Sequence, residues 1–217
     1  TLKNTLSPLR AEGQLGGFEG QMVQFGFHSV TTWTRILDTK GYSTAVLYLD
    51  LASAFHHLVR EFALGVSNEA DFVRVLTDLQ SAGHPVDAAR HGHRFIGILE
   101  QYGCDERLLH LFRDIHADTW FTVSKQEIIR TKRGTRPGSP LADAVFHLAM
   151  SQIMREVRGW IVEQTAFKRI LDQHDLPALT IIWAGDVAIP WVSADAVTMV
   201  PELCSLVQQV EHTFAKN

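Results

Sequence analysis

Leu179-Thr-Ile-Ile-Trp-Ala-Gly-Asp-Val-Ala-Ile-Pro-Trp191 is the stretch that decides the fold of this chain. Two runs of β-forming residues flank the corner Ala184-Gly185-Asp186, the pattern of a β-hairpin with its one carboxylate at the bend. Far upstream, Ala45-Val-Leu-Tyr-Leu-Asp50 reads as a buried strand that also ends on a carboxylate. Two strands that each deliver an Asp to the same sheet edge can hold divalent cations, which favour hard oxygen ligands. Between them sits Gly134-Thr-Arg-Pro-Gly-Ser-Pro140, a Gly/Pro-rich loop that opens a long helical pattern.

Outward from these three pieces the chain alternates helical and strand patterns. Gln14-Leu-Gly-Gly-Phe-Glu-Gly20 is a glycine-rich turn, and Val23 to Leu37 then carries apolar residues at helical spacing. The turn lacks a Gly-Lys-Ser/Thr ending, which excludes a P-loop. Ser67 is an expected N-cap for a helix carried by Phe72, Val75, Leu76 and Leu79. Helical patterns follow near 93–102 and 105–116, then a hairpin made of Trp120-Phe-Thr-Val123 and Glu127-Ile-Ile-Arg130. Ser139-Pro140 is a helix start, continued by Phe146, Met150, Ile153, Val157 and Ile161 as a core-facing stripe. A helix over 163–173 and a helical tail from about Ala194 to Phe214 bracket the Asp186 hairpin. The hairpins demand antiparallel pairing, so the fold class is α+β, with helices on one face of the sheet.

The bulk numbers exclude several functions. At 217 residues with 46% hydrophobic and 20% charged residues, the chain can bury a substantial core and shows no composition of disorder. Its longest apolar stretch is broken by Gly185, Asp186 and Pro190, too short for a membrane span. Cys104 and Cys204 stand without metal-site spacing, which argues against a disulfide framework or zinc ribbon and for an intracellular, reducing setting. The His56-His57, His91-Gly-His93 and His110–His116 groups do not form a zinc ligand set. No nucleophile elbow is present. The net charge of −4 counts against nucleic-acid binding in bulk. Residues 125–136 run the other way, with Lys125, Arg130, Lys132, Arg133 and Arg136 against Glu127 alone. The N-terminus has neither Met nor a signal-peptide pattern, which reads as a fragment or excised domain.

Taken together and in order, four motifs resemble those of non-LTR retrotransposon-type reverse transcriptases, over about residues 10–215. Gln14-Leu-Gly-Gly17 resembles the family's fingers motif and lies thirty-six residues before Asp50. Leu47-Tyr-Leu-Asp50-Leu-Ala-Ser-Ala54-Phe55 resembles the first palm motif. Gly134-Thr-Arg-Pro-Gly138-Ser-Pro140-Leu-Ala resembles the Gly-x-x-Gln-Gly-x-Pro-Leu-Ser loop and helix. Trp183-Ala184-Gly185-Asp186 stands where the family has aromatic-Ala-Asp-Asp.

The resemblance implies an antiparallel polymerase palm sheet packed on helices with a partial fingers region. Residues 1–44 would be partial fingers, and 45–217 palm with inserted fingers segments at about 66–135, ending before the thumb. It implies template-directed DNA synthesis from dNTPs on an RNA or DNA template with primer, by a two-metal mechanism using Mg²⁺. Asp50 and Asp186 would be the catalytic, metal-binding carboxylates. Ser53, Ala54, Phe55, Pro137 and Gly138 would line the nucleotide site, with Phe55 under the incoming sugar. Lys132, Arg133 and Arg136 would meet template or phosphate.

The sequence departs from the family at three places. Gly185 replaces the first Asp of the hairpin pair, Pro137 stands where Gln is usual, and Phe18-Glu19 occupies a stretch where many members are basic. Gly185 implies low or no activity in this copy, because Asp186, its strand neighbour, cannot simply take over its role unless a bend at the glycine corner re-aims it; Asp50 and Asp186 themselves are expected on adjacent strands, near enough to share a metal. Two other readings remain beside it: a catalytically dead remnant or weak nucleic-acid-binding module, and an unrelated α+β interaction domain.

Overall fold

The computed structural model describes residues 13, 15, 22–51, 60, 64–66, 69–81, 97–101, 103–117, 119–124, 127–131, 134–135, 140–183 and 185–216. In chain order these form α1 (Val23–Asp38), β1 (Ser43–Asp50), α2 (Glu69–Ser81), α3 (Ile98–Gln101), α4 (Glu106–His116), β2 (Trp120–Ser124), β3 (Glu127–Arg130), α5 (Pro140–Glu163), α6 (Thr165–Gln173), β4 (Ile181–Trp183), β5 (Asp186–Ser193) and α7 (Ala196–Lys216). The class is α+β with small antiparallel sheets. Among the described residues no helix is long and apolar enough to cross a membrane.

The strands form two sheets rather than one. Among the described residues β1, β5 and β4 make a three-stranded antiparallel sheet in that order, and β2 pairs with β3. By contacts the chain divides into two compact units. One takes in Arg10–Ala52 and Ser151–Ala215, and with them the three-stranded sheet. The other takes in Ser53–Met150.

In the first unit β5 is the central strand, buried at every residue from Ile189 to Ser193. Val187, Ile189, Trp191 and Ile182 are almost fully buried. Trp191 joins the sheet to its helices through aromatic stacking. Its ring lies 4.4 Å from Phe167 of α6 and 6.3 Å from Trp160 of α5, and Phe167 stacks in turn on Trp33 of α1 at 6.4 Å. Each such pair adds about 0.5–1.5 kcal/mol beyond area burial. The polar ends of the two buried indoles are satisfied. Trp191 Nε1–H donates to Glu202 Oε2 at 3.0 Å, and Trp33 Nε1–H to the Pro177 carbonyl at 3.0 Å.

The helix α1 forms where its spacing predicts, but of the expected stripe Val23, Phe27, Val30, Trp33 and Ile36 or Leu37 only Val30, Trp33 and Leu37 are buried, joined by Gly26, while Val23 and Phe27 are exposed. Gly26 is where α1 comes closest to β4, since a Cβ there would meet Ile181 Cγ2 at 2.7 Å. The outer side of β4 is paired at Ile182. Leu15 N–H donates to its carbonyl at 2.9 Å, and its own N–H donates to the Gly13 carbonyl at 3.1 Å. Gly13 has φ +85°, and a Cβ there would fall on the Thr180 carbonyl oxygen, so the position accepts only glycine.

The second unit has its own core of Leu64, Ile98, Leu99, Cys104, Leu109, Phe112, Val145 and Leu148. α4 starts where Asp105 caps it, its Oδ1 accepting from Arg107 N–H at 3.0 Å and Leu108 N–H at 3.3 Å. Arg113 ties α4 to the chain before α2, donating from Nε and Nη2 to the Leu64 carbonyl at 3.0 and 2.8 Å. The expected caps Ser67 and Ser139 lie outside the described residues.

This unit also buries two histidines. Burial holds the His147 imidazole below its ordinary range, partly countered by Asp143. His116 is lowered by burial and by Arg60, against a hydrogen bond to the Phe112 carbonyl that works the other way. A histidine whose folded pKa is depressed contributes stability that is full above the unfolded value of 6.5 and is lost as pH falls through the folded value. Denaturation midpoints are therefore expected to fall on acidification below about pH 6.5. His147→Leu should remove part of that slope. A slope identical to that of the unsubstituted chain would reject the assignment.

Candidate metal-binding site

The period-two alternation of a strand fixes which side chains share a face. In β1 the exposed face at the C-terminal end carries Tyr48 and Asp50, with Leu47 and Leu49 turned the other way. β5 begins at Asp186, which is exposed, and its next residue Val187 is buried. The register sets Asp50 directly opposite Asp186, Tyr48 opposite Ala188, and Trp183 of β4 opposite Asp186 on its other side. Directly opposed residues project from the same face. Asp50 and Asp186 therefore stand side by side at one end of the sheet.

Their spacing follows from the hydrogen bonds around them. Leu51 N–H donates to the Gly185 carbonyl at 3.3 Å, the bond that flanks a non-hydrogen-bonded pair in an antiparallel ladder. In such a pair the Cα atoms approach to about 4.5 Å and the side chains are at their closest. Two like charges so placed destabilise the strand pair by roughly 0.2–1 kcal/mol unless a cation lies between them. Among the described residues no ion pair engages either carboxylate.

The donor set fits a hard divalent ion. Two carboxylates in water match Mg²⁺, which dehydrates reluctantly and is held by one or two protein carboxylates plus water and phosphate oxygens. Among the described residues no group of three or more His, Cys, Asp or Glu gathers to enclose a metal.

The register puts Asp50 and Asp186 on adjacent strands and on one face, the arrangement expected from the order of the motifs. The Gly185 carbonyl, the one oxygen that residue can offer, already accepts from Leu51.

Ser53, Ala54, Phe55, Lys132, Arg133, Arg136, Pro137 and Gly138 lie outside the described residues. Two residues that lie within the motifs but were given no role share the face of the carboxylates: Tyr48, 70% exposed, and Trp183. Counting two residues back from Asp50 would have found Tyr48. A third, Arg60, carries no motif but is buried, and it organises the entry to the Gly134 loop. Its Nη1 donates to the His116 carbonyl at 2.6 Å and the Thr131 carbonyl at 3.3 Å, its Nη2 donates to Thr131 Oγ1 at 2.7 Å, and its Nε donates to the Gly134 carbonyl. Gly134 itself has φ +76°, a conformation that favours glycine at the start of this loop.

No protein-family model matches the chain, and no curated protein matches it.

Proposed function

We propose that the chain is a palm-and-fingers portion of a reverse-transcriptase-type polymerase, impaired in DNA synthesis by Gly185. The observation that carries this reading is the opposition of Asp50 and Asp186 at the exposed end of an antiparallel sheet. The motif order around it supports the same reading, and the assignment of the three-stranded sheet as a polymerase palm is part of the proposal.

In this reading Asp50 and Asp186 hold Mg²⁺ from one face. A pair of Mg²⁺ ions supplies charge stabilisation to the attacking primer 3′-oxygen and the leaving phosphate oxygen. By the resemblance, Phe55 would lie under the sugar, Ser53 and Ala54 would face the triphosphate, and Gly138 would admit the templating pair. Pro137 offers neither an amide side chain nor a backbone donor. Lys132, Arg133 and Arg136 meet template phosphates.

Gly185 favours a second reading of the same fold, a catalytically dead copy that retains nucleic-acid binding. Two assays separate the readings. Tb³⁺ luminescence competed by Mg²⁺ should report a site lost in Asp50→Asn. Primer extension with Mg²⁺ and dNTPs should show slow incorporation, lost in Asp50→Ala. Cation binding without incorporation selects the dead copy. Incorporation that survives Asp50→Ala would overturn the assignment of the site.

A further inference from the structure

We propose that Arg60 and His116 form an acid-operated latch, in which the guanidinium ties Thr131 and Gly134 to the end of α4 and a proton on the imidazole releases them. Separate stretches of chain meet at this one guanidinium. Its Nη1 donates to the His116 carbonyl at 2.6 Å and the Thr131 carbonyl at 3.3 Å, its Nη2 to Thr131 Oγ1 at 2.7 Å, and its Nε to the Gly134 carbonyl. All of these residues belong to the Ser53–Met150 unit. The fork is planar and rigid, so a guanidinium displaced from one acceptor is displaced from the others.

His116 supplies the trigger. Its ring is buried, and Nδ1–H donates to the Phe112 carbonyl at 2.9 Å. That bond fixes the neutral tautomer and leaves Nε2 as the atom that takes the next proton. Burial opposes the resulting charge most strongly, and the neighbouring Arg60 opposes it too. The Phe112 bond works the other way, as does the C-terminal end of α4, where a cation is favoured, and burial outweighs them. Among the described residues Arg60 is the charged group that acts on this imidazole. Arg113 of α4 is turned to the Leu64 carbonyl and Glu100, and Asp143 of α5 acts on His147.

The tied segment gains from release. Thr135 Oγ1, next to Gly134, is buried with no partner among the described residues, a hydroxyl that forms a hydrogen bond once the segment opens to water. The direction with pH follows from linkage. His116 is held below 6.5 in the closed state and returns toward 6.5 in the open one, so opening takes up a proton and acid favours it. Gly134 begins the stretch that the resemblance places at the nucleotide. That consequence rests on the proposed function, whereas the latch itself does not.

The test is amide hydrogen exchange of the whole chain between about pH 5.5 and about pH 7.5, each rate divided by the intrinsic rate at that pH. Thr131 N–H, bonded to the Thr119 carbonyl at 2.7 Å, reports the latch. Its protection should fall by up to about tenfold for each pH unit below 6.5, while the amides of β1 and β5 keep theirs. His116→Asn keeps a donor for the Phe112 carbonyl and does not titrate, so Thr131 protection should be flat over the same range. Arg60→Lys keeps the charge without the fork and should lower Thr131 protection even at neutral pH. His147→Leu removes the other buried imidazole of the unit and should leave the Thr131 fall in place. In the unsubstituted chain the His116 ring should titrate with a midpoint below 6.5 by NMR, a reading that needs no variant to fold. Constant Thr131 protection, an equal fall in His116→Asn, a fall shared with β1 and β5, or a midpoint at or above 6.5 overturns the latch. A latch that behaves as expected in a chain that binds no Tb³⁺ would stand, without its link to a nucleotide loop.

Discussion

Gly185→Asp is expected to raise Mg²⁺-dependent dNTP incorporation by about 10²–10³-fold, the usual effect of one well-placed charge stabiliser. Gly185 stands in the corner between Trp183 and Asp186, beside the face that carries Asp50 and Asp186. It has no side chain, and its carbonyl is engaged by Leu51 N–H. In the proposed reading, a carboxylate there would add a third anionic ligand to a cation that Asp50 and Asp186 would otherwise hold with water and phosphate. The same substitution gives a readout that needs no catalysis. Three carboxylates at one corner repel one another, so the variant should melt below the unsubstituted chain in EDTA. Mg²⁺ bound only by the folded chain should recover that loss, by about 2.7 kcal/mol at a hundredfold excess over the dissociation constant. Asp50→Ala in the variant should abolish both gains. Unchanged incorporation together with a melting temperature indifferent to Mg²⁺ would show that residue 185 does not face a cation. Because Pro137 remains, the gain stays below full activity in this reading.

Arg60→Met should destabilise the Ser53–Met150 unit by about 3–5 kcal/mol. The guanidinium is 8% exposed and donates to carbonyls at His116, Thr131 and Gly134 and to the Thr131 hydroxyl. Methionine keeps much of the volume and none of the donors, which strands acceptors that the fold has taken out of water. Arg60→Lys keeps a charge but cannot present the planar fork, so it should recover only part of the loss. Urea denaturation followed by the near-ultraviolet signal of Trp120 in this unit would measure both. A midpoint unchanged in Arg60→Met would mean that the network contributes nothing net. The unit joined by the three-stranded sheet supplies an internal comparison, since its transition should move less.

The elements whose pattern is local were legible in the sequence. Apolar spacing gave the helix α1 and, of its buried face, Val30, Trp33 and Leu37, and β-branched runs around a glycine corner gave β4 and β5. That Asp50 and Asp186 each lie at a strand terminus was also readable, because alternation and strand length are properties of neighbouring residues. Pairing partners are not local. Only the tertiary structure put Asp50 opposite Asp186, since a shift of one residue in either strand would have reversed the faces. Arg60 shows the same limit from another side. Nothing in the sequence marks it apart from surface arginines, and its importance comes from carbonyls at positions 116, 131 and 134 that the fold gathers around it. The separation of β2–β3 from the main sheet was likewise unreadable, because a hairpin's own residues fix its turn and its two faces but not which strand, if any, lies alongside.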